Sequence, residues 1–97
     1  MNKRQFNRIL HSVISDFEKF IIEKNEGYGN SAFQPINVMA KIDPEDAINV
    51  RMDDKLNKII NGKDLVQEDS LKNLVGYWFL REVGRRAKTI YQKESLE

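Results

Sequence analysis

Apolar side chains recur every third or fourth position over three stretches of the chain, which is the period of an amphipathic helix. This pattern predicts three main helices, over about 4–25, 44–61 and 68–93. No stretch shows the sustained alternation of apolar and polar residues that a half-buried strand requires. We therefore predict an all-α fold in which three helices form a bundle.

Helix start and stop signals support these bounds. Asp43 precedes Pro44 at the start of the middle helix, and an aspartate cap followed by proline in the first turn is typical of a helix N-terminus. Gly62 follows the same helix as a stop signal.

Gly27 and Gly29 end the first helix and open a glycine-bearing loop. Pro35 then precedes a short helical pattern, so we predict a fourth, minor helix over 35–41 within this loop.

Length and composition restrict the class of protein. The chain has 97 residues, one histidine and no cysteine, so it suits one domain and offers neither disulfides nor zinc-binding thiolates. We assign residues 1–95 to that domain and interpret Leu96 and Glu97 as a cloning remnant. The apolar runs are too short for a membrane span, so we expect a cytoplasmic protein without membrane contact.

Lys24 lies on the apolar face of the first helix, since it projects in the direction of Phe6 and Val13 when positions are spaced at about 100° per residue. Two interpretations are open. The lysine stem covers the edge of the core while its ammonium group reaches water, or the ammonium group points into a pocket closed by Tyr28 and the glycine loop.

The middle helix carries a stripe of charged residues along the border of its apolar face. Arg51, Asp54, Lys55 and Lys58 have the spacing i, i+3, i+4 and i+7, which suits an exposed ladder of ion pairs. It also suits a site for a polyanion, with the bases against phosphate and Asp54 available to a divalent cation.

One face of the last helix carries small residues. Gly76, Leu80 and Gly84 lie there, and helical glycines favour close approach of another helix, from this chain or from a second copy. We predict these three residues as a dimer interface. Asp69 and Asn73 head the same face, either as metal ligands through oxygen or as a cap followed by a polar turn.

Charge is segregated although the formal net charge is only +1. Residues 43–69 hold eight acids and four bases, whereas residues 81–93 are basic. Arg81, Arg85 and Lys88 share a face that could contact nucleic acid. Because aromatic stacking residues are not interleaved with these bases, nucleic-acid binding is not the favoured interpretation.

Three segments together are similar to a known family. They are EKNEGYGN over 23–30, DDKLNKI over 53–59 and EDSLKNLVGY over 68–77. In order and spacing they resemble the phage and prophage family called nucleotide-modification-associated domain, which looks like a relative of the MazG-type all-α nucleotide pyrophosphatases.

The resemblance implies a dimeric helical protein that binds a nucleotide or modified nucleotide, with Mg²⁺ as cofactor. It implies that Lys24, Lys55 and Lys58 face phosphate, and that Tyr28 and Asn30 belong to the nucleotide-binding set. The metal ligands it implies are Asp54, Asp69 and Asn73.

Two departures separate this chain from the pattern it resembles. Asn73 occupies a position where the family favours aspartate, which removes one negative charge from the implied metal site. The dense acid motifs of MazG-type enzymes, EExxE and ExxD, are not reproduced.

Three hypotheses follow from the sequence. The first is nucleotide binding with weak Mg²⁺-dependent pyrophosphohydrolase activity. The second is a noncatalytic, homodimeric interaction module, and the third is a small nucleic-acid-binding protein.

Overall fold

A computed structural model of the chain describes residues 1–27, 42–62 and 69–95, with side chains up to residue 92. These residues form three helices, which are α1 (Lys3–Gly27), α2 (Pro44–Asn61) and α3 (Ser70–Ser95). They contain no strand, so the predicted all-α fold is confirmed. The short helix predicted over 35–41 lies outside the described residues.

The helices within the described part of the chain include none with a segment long and apolar enough to cross a membrane.

Local side-chain bonds fix where α1 and α2 begin. Before α2, the Asp43 carboxylate accepts the backbone N–H of Glu45 at 3.0 Å, as predicted. Before α1, the amide oxygen of Asn2 accepts the N–H of Gln5 at 2.8 Å, and Gln5 Oε1 accepts the N–H of Asn2 at 2.9 Å. This reciprocal capping box starts α1 at Lys3, one residue earlier than the hydrophobic pattern indicates.

Gly62 ends α2 in the left-handed conformation, with φ of 61°. Its N–H donates to the Ile59 carbonyl at 3.3 Å. The predicted glycine stop is therefore confirmed, because glycine adopts this conformation without a steric penalty.

The core lies where α2 and α3 pack against each other. Ile48 from α2 and Tyr77 and Leu80 from α3 are its buried hydrophobic residues, and Ile21 of α1 and Met52 pack against them.

Polar contacts run along one flank of the same helix pair. Arg81 donates to Asn49 Oδ1 at 2.9 Å, and the Arg85 guanidinium bonds to the Glu45 carboxylate. Because later residues of α3 meet earlier residues of α2, the two helices are antiparallel. The acidic start of α2 thus lies beside the basic half of α3, which accounts for the charge segregation in the sequence.

Only the C-terminal half of α1 packs on α3. The Phe17 and Phe79 ring centroids are 5.6 Å apart. Gly76 lies beside Phe20, whose Cε1 would be 3.2 Å from a Cβ added at the glycine. Helix α1 therefore also runs antiparallel to α3 and approaches it closely at Gly76. In its N-terminal half, Phe6 and Val13 are at least half exposed.

We predict that Leu80→Ala lowers the free energy of unfolding by about 2–5 kcal/mol, because it leaves a cavity in a small core. Leu80 is 2% exposed, whereas Leu71 on the same helix is 61% exposed. The matched variant Leu71→Ala should therefore lower the free energy of unfolding by about 0.5 kcal/mol or less. Chemical denaturation followed by circular dichroism measures both, and equal losses would contradict the assigned core.

Candidate functional site

Lys24 lies at the junction of α1 and α3. Its ammonium nitrogen is 4.4 Å from the centroid of the Tyr77 ring and donates a hydrogen bond to Asn73 Oδ1 at 3.2 Å. The side chain is half-buried. Its stem thus lies at the edge of the core, as the first interpretation of Lys24 proposed, while its charged end contacts polar and aromatic groups of α3.

Arg51 of α2 approaches the same aromatic ring. Its guanidinium carbon is 5.9 Å from the Tyr77 centroid, within the range of cation–π attraction. Tyr77 itself is only 4% exposed. A buried aromatic ring therefore holds two cations, one from each of the other helices, near one point.

A solvent-open cavity of about 400 Å³ adjoins this ring. Cavities of similar volume lie elsewhere on the described residues, so the side chains that line this one, and not its size, make it a candidate. The residues that line it come from α2 and from Tyr77. They are Arg51, Asp54, Lys55, Asn57, Lys58 and Tyr77.

Three predicted site residues, Asp54, Lys55 and Lys58, therefore share one cavity. Lys24 joins this group through Tyr77 rather than by lining the cavity. Asn57 and Tyr77 are the lining residues that the sequence analysis did not assign, and Tyr77 is the one that joins the three helices. The sequence does contain one signal for Tyr77, which is its position directly after Gly76. A glycine lets a neighbouring helix approach closely, and that helix then also contacts the adjacent side chain.

Asp69 and Asn73 are engaged within the chain. The Asp69 carboxylate accepts the backbone N–H of Lys72 at 2.9 Å, which is the capping role left open by the sequence. Asn73 Oδ1 accepts from the Lys24 ammonium group. A metal at Asp69 Oδ1 and Asn73 Oδ1 would compete with these two bonds and would lie beside the Lys24 ammonium group.

Asp54 is exposed at the wall of the cavity. Over residues 1–27, 42–62 and 69–95 the structure contains no group of three histidine or acidic side chains arranged to hold a metal. The Mg²⁺ site over Asp54, Asp69 and Asn73 stays a prediction. Tyr28 and Asn30 lie outside the described residues.

Two of the three residues predicted as a dimer interface pack against other parts of the same chain. Gly76 contacts Phe20, and Leu80 is buried in the core with Ile48. Gly84 lines a groove between the start of α2 and the C-terminal half of α3. Gly76 and Leu80 thus meet helices of their own chain, and dimerisation stays a prediction.

The bases Arg81, Arg85 and Lys88 also have partners within the chain. Asn49 and Glu45 accept from the two arginines, and the Lys88 ammonium group lies 3.8 Å from the Asp43 carboxylate. These basic side chains therefore link α3 to α2 and to Asp43, the residue that caps α2.

The hydrogen bond from Arg85 lowers the pKa of the Glu45 carboxyl below its usual 4.5, and the same bond raises the pKa of Arg85.

Comparison with protein-family models, with curated proteins and with solved structures finds no match to this chain.

Because the folded-state pKa of Glu45 is lowered, its stabilising effect is complete above its ordinary pKa and is lost as the pH falls through the lowered value. We therefore predict that Glu45→Gln lowers the Tm at pH 7, and that the Tm values of native protein and variant converge once the pH has fallen below the lowered pKa of Glu45. Thermal unfolding at both pH values tests this. Glu18→Gln, an exposed α1 variant, is the control and should leave the Tm nearly unchanged at both pH values. A Tm difference that persists at low pH would contradict the assigned pair.

Proposed function

We propose that this chain binds nucleotides or modified nucleotides through their phosphate groups at the cavity beside Tyr77. The observation that carries the proposal is the placement of Lys24 and Arg51 against one buried ring next to a cavity lined by Lys55 and Lys58. The resemblance of the three short segments 23–30, 53–59 and 68–77 to a nucleotide-associated phage family implies the same assignment.

The charge around the cavity favours an anion. Among the described residues that line it, three carry a positive charge and one, Asp54, carries a negative charge; the three cations are Arg51, Lys55 and Lys58. A triphosphate carries several negative charges in a compact group and matches this excess. Lysine supplies point charges, whereas the planar guanidinium of Arg51 can donate two parallel hydrogen bonds to phosphate oxygens.

Tyr77 acts in this proposal as a positioning residue. Its ring is buried among core residues, so it offers no open face on which a nucleobase could stack. Instead it holds Lys24 and Arg51 in place by cation–π contact. The base and sugar would then lie toward the solvent side of the cavity, and affinity would come mainly from phosphate.

Pyrophosphohydrolysis is a separate prediction from binding. It requires Mg²⁺ to offset phosphate charge and to make a bound water a better nucleophile. Asp69 caps α3 and Asn73 accepts a hydrogen bond from Lys24. The side-chain oxygens of both residues therefore already take part in hydrogen bonds within the chain. We therefore propose binding as the primary activity, with Mg²⁺ accompanying the nucleotide.

Calorimetric titration with each of the four dNTPs, with and without Mg²⁺, tests the proposal. We expect Lys55→Met to weaken the tightest complex about tenfold or more, the equivalent of about 1.4 kcal/mol. Lys24→Met keeps the apolar stem and should weaken binding in the same direction. Lys19→Met, an exposed lysine on α1, is the matched control and should leave affinity unchanged.

The absence of binding by native protein to all four dNTPs would contradict the proposal. Equal losses of dNTP affinity in the Lys19 and Lys55 variants would show that binding depends on the general positive charge of the surface and not on this cavity. Chromatography of the same mixtures detects pyrophosphate release and so measures hydrolysis independently of binding.

A further inference from the structure

The side chains of α2 that line the cavity beside Tyr77 differ between its inner wall and its rim. Asp54 and Asn57 are exposed, whereas the cations of the lining are half-buried; these are Arg51, Lys55 and Lys58. At about 100° per residue, the cations cluster on one side of α2, and Asp54 and Asn57 lie next to them on the same flank. The cavity therefore has a cationic inner wall and a rim that offers a carboxylate and an amide.

The Asp54 carboxylate is available as an acceptor. Arg51 lies three residues before it and Lys58 four residues after it, which is the spacing of helical ion pairs. Within the described part of the chain, however, Asp54 makes neither an ion pair nor a hydrogen bond. The ion-pair ladder that the sequence left open therefore does not form at Asp54, and both carboxylate oxygens can accept from a ligand.

The Asn57 amide is held in one orientation by the next turn of α2. Asn61 Nδ2 donates to Asn57 Oδ1 at 2.7 Å and to the Asn57 carbonyl oxygen at 2.9 Å. The amide oxygen is thus engaged, while the amide nitrogen has no acceptor among residues 1–27, 42–62 and 69–95. Because Asn57 lines the cavity, its amide nitrogen is an oriented donor at the rim.

The chemistry of this rim suits a hydroxyl group and not a phosphate. A carboxylate repels phosphate, but it accepts a strong, charge-assisted hydrogen bond from a hydroxyl. Asp54 directly precedes Lys55 and lies one turn from Lys58, and side chains one turn apart on a helix are neighbours. A group that reaches Asp54 must therefore be attached close to the phosphates that the lysines bind. In a nucleotide that group is the sugar.

We propose that Asp54 and Asn57 form a sugar subsite, in which the Asp54 carboxylate accepts a sugar hydroxyl and the Asn57 amide nitrogen donates to a sugar oxygen. This inference rests on the proposed nucleotide binding and adds the selectivity of that site, which is for a phosphorylated sugar with a free hydroxyl. In a 2′-deoxynucleotide the 3′-hydroxyl fills this role. Asn61 is a positioning residue, since it acts through the orientation of Asn57.

The exposure of Asp54 sets the size of the expected selectivity. A buried group that recognises a hydroxyl rejects the analogue without it very strongly, because the group is then left without a partner. At an exposed rim, water replaces part of the missing hydrogen bond. We therefore expect a preference of about tenfold for the hydroxyl-bearing ligand, as for one hydrogen bond to a charged group.

Calorimetric titration with three ligands, without Mg²⁺, tests the subsite. They are the dNTP that binds most tightly, its 2′,3′-dideoxy form and inorganic tripolyphosphate. Native protein should bind the dNTP about tenfold more tightly than the dideoxy form. Asp54→Ala should reduce this ratio to about twofold or less. The same variant should bind tripolyphosphate at least as tightly as native protein does, because a repelling carboxylate has been removed from beside the phosphate site.

Asp53→Ala is the matched control. Asp53 is the preceding residue of α2 and is also exposed, but it lines a different groove with Leu56 and Trp78. The variant changes the net charge by the same amount and should keep the native preference for the dNTP. A preference that falls equally in the Asp53 and Asp54 variants would show that it depends on surface charge, and would overturn the subsite.

Asn57→Ala and Asn61→Ala test the oriented amide. Each should weaken dNTP binding about threefold, the equivalent of one modest hydrogen bond, and should leave tripolyphosphate affinity unchanged. Once Asn57 is alanine, adding Asn61→Ala should have no further effect, because Asn61 acts only through Asn57. Circular dichroism shows that each variant keeps its helicity. Equal weakening of tripolyphosphate would assign both asparagines to the integrity of α2 and overturn their role in sugar binding.

The three ligands separate the failure of this inference from the failure of the proposed function. If native protein binds neither the dNTP nor tripolyphosphate, nucleotide binding itself is contradicted, and the subsite with it. Equal native affinities for the dNTP and its dideoxy form would overturn the sugar subsite alone. The subsite is also overturned if Asp54→Ala weakens tripolyphosphate and dNTP alike, and only when Mg²⁺ is added, since Asp54 would then be a metal ligand.

Discussion

The contact of three helices around Tyr77 is the constraint on which the rest of the structure depends. The ring packs with Ile48 and Leu80 in the core and also meets Lys24 of α1 and Arg51 of α2. A chain of this length buries a modest fraction of its surface, so a single aromatic residue has a large share of the packing. The Tyr77 side chain therefore belongs both to the hydrophobic core and to the candidate site.

The helices and the signals at their ends were predictable because they are local properties. Periodicity identifies an amphipathic helix, and the Asp43 and Gly62 signals act within a few residues of themselves. The choice between the two faces of α3 was not predictable in this way. Gly76 packs on Phe20 while Leu71 is exposed, and that outcome depends on how closely α1 can approach.

The site was partly predictable for the same reason. The spacing that places Lys55 and Lys58 on one side of α2 is a helical property, and both line the cavity. Hydrogen bonds between distant residues are not encoded by spacing. The Lys24–Asn73 bond joins positions 49 residues apart, so the engagement of Asn73 by an ammonium group could be found only from the three-dimensional arrangement.

The most direct test of the account is a heteronuclear NMR titration of the native protein with a dNTP. If the cations around Tyr77 bind phosphate, resonances of Arg51, Lys55 and Tyr77 shift first and saturate together, and excess inorganic triphosphate reverses the shifts. Shifts confined to Arg85 and Lys88, or no shifts at saturating nucleotide, would contradict the central claim.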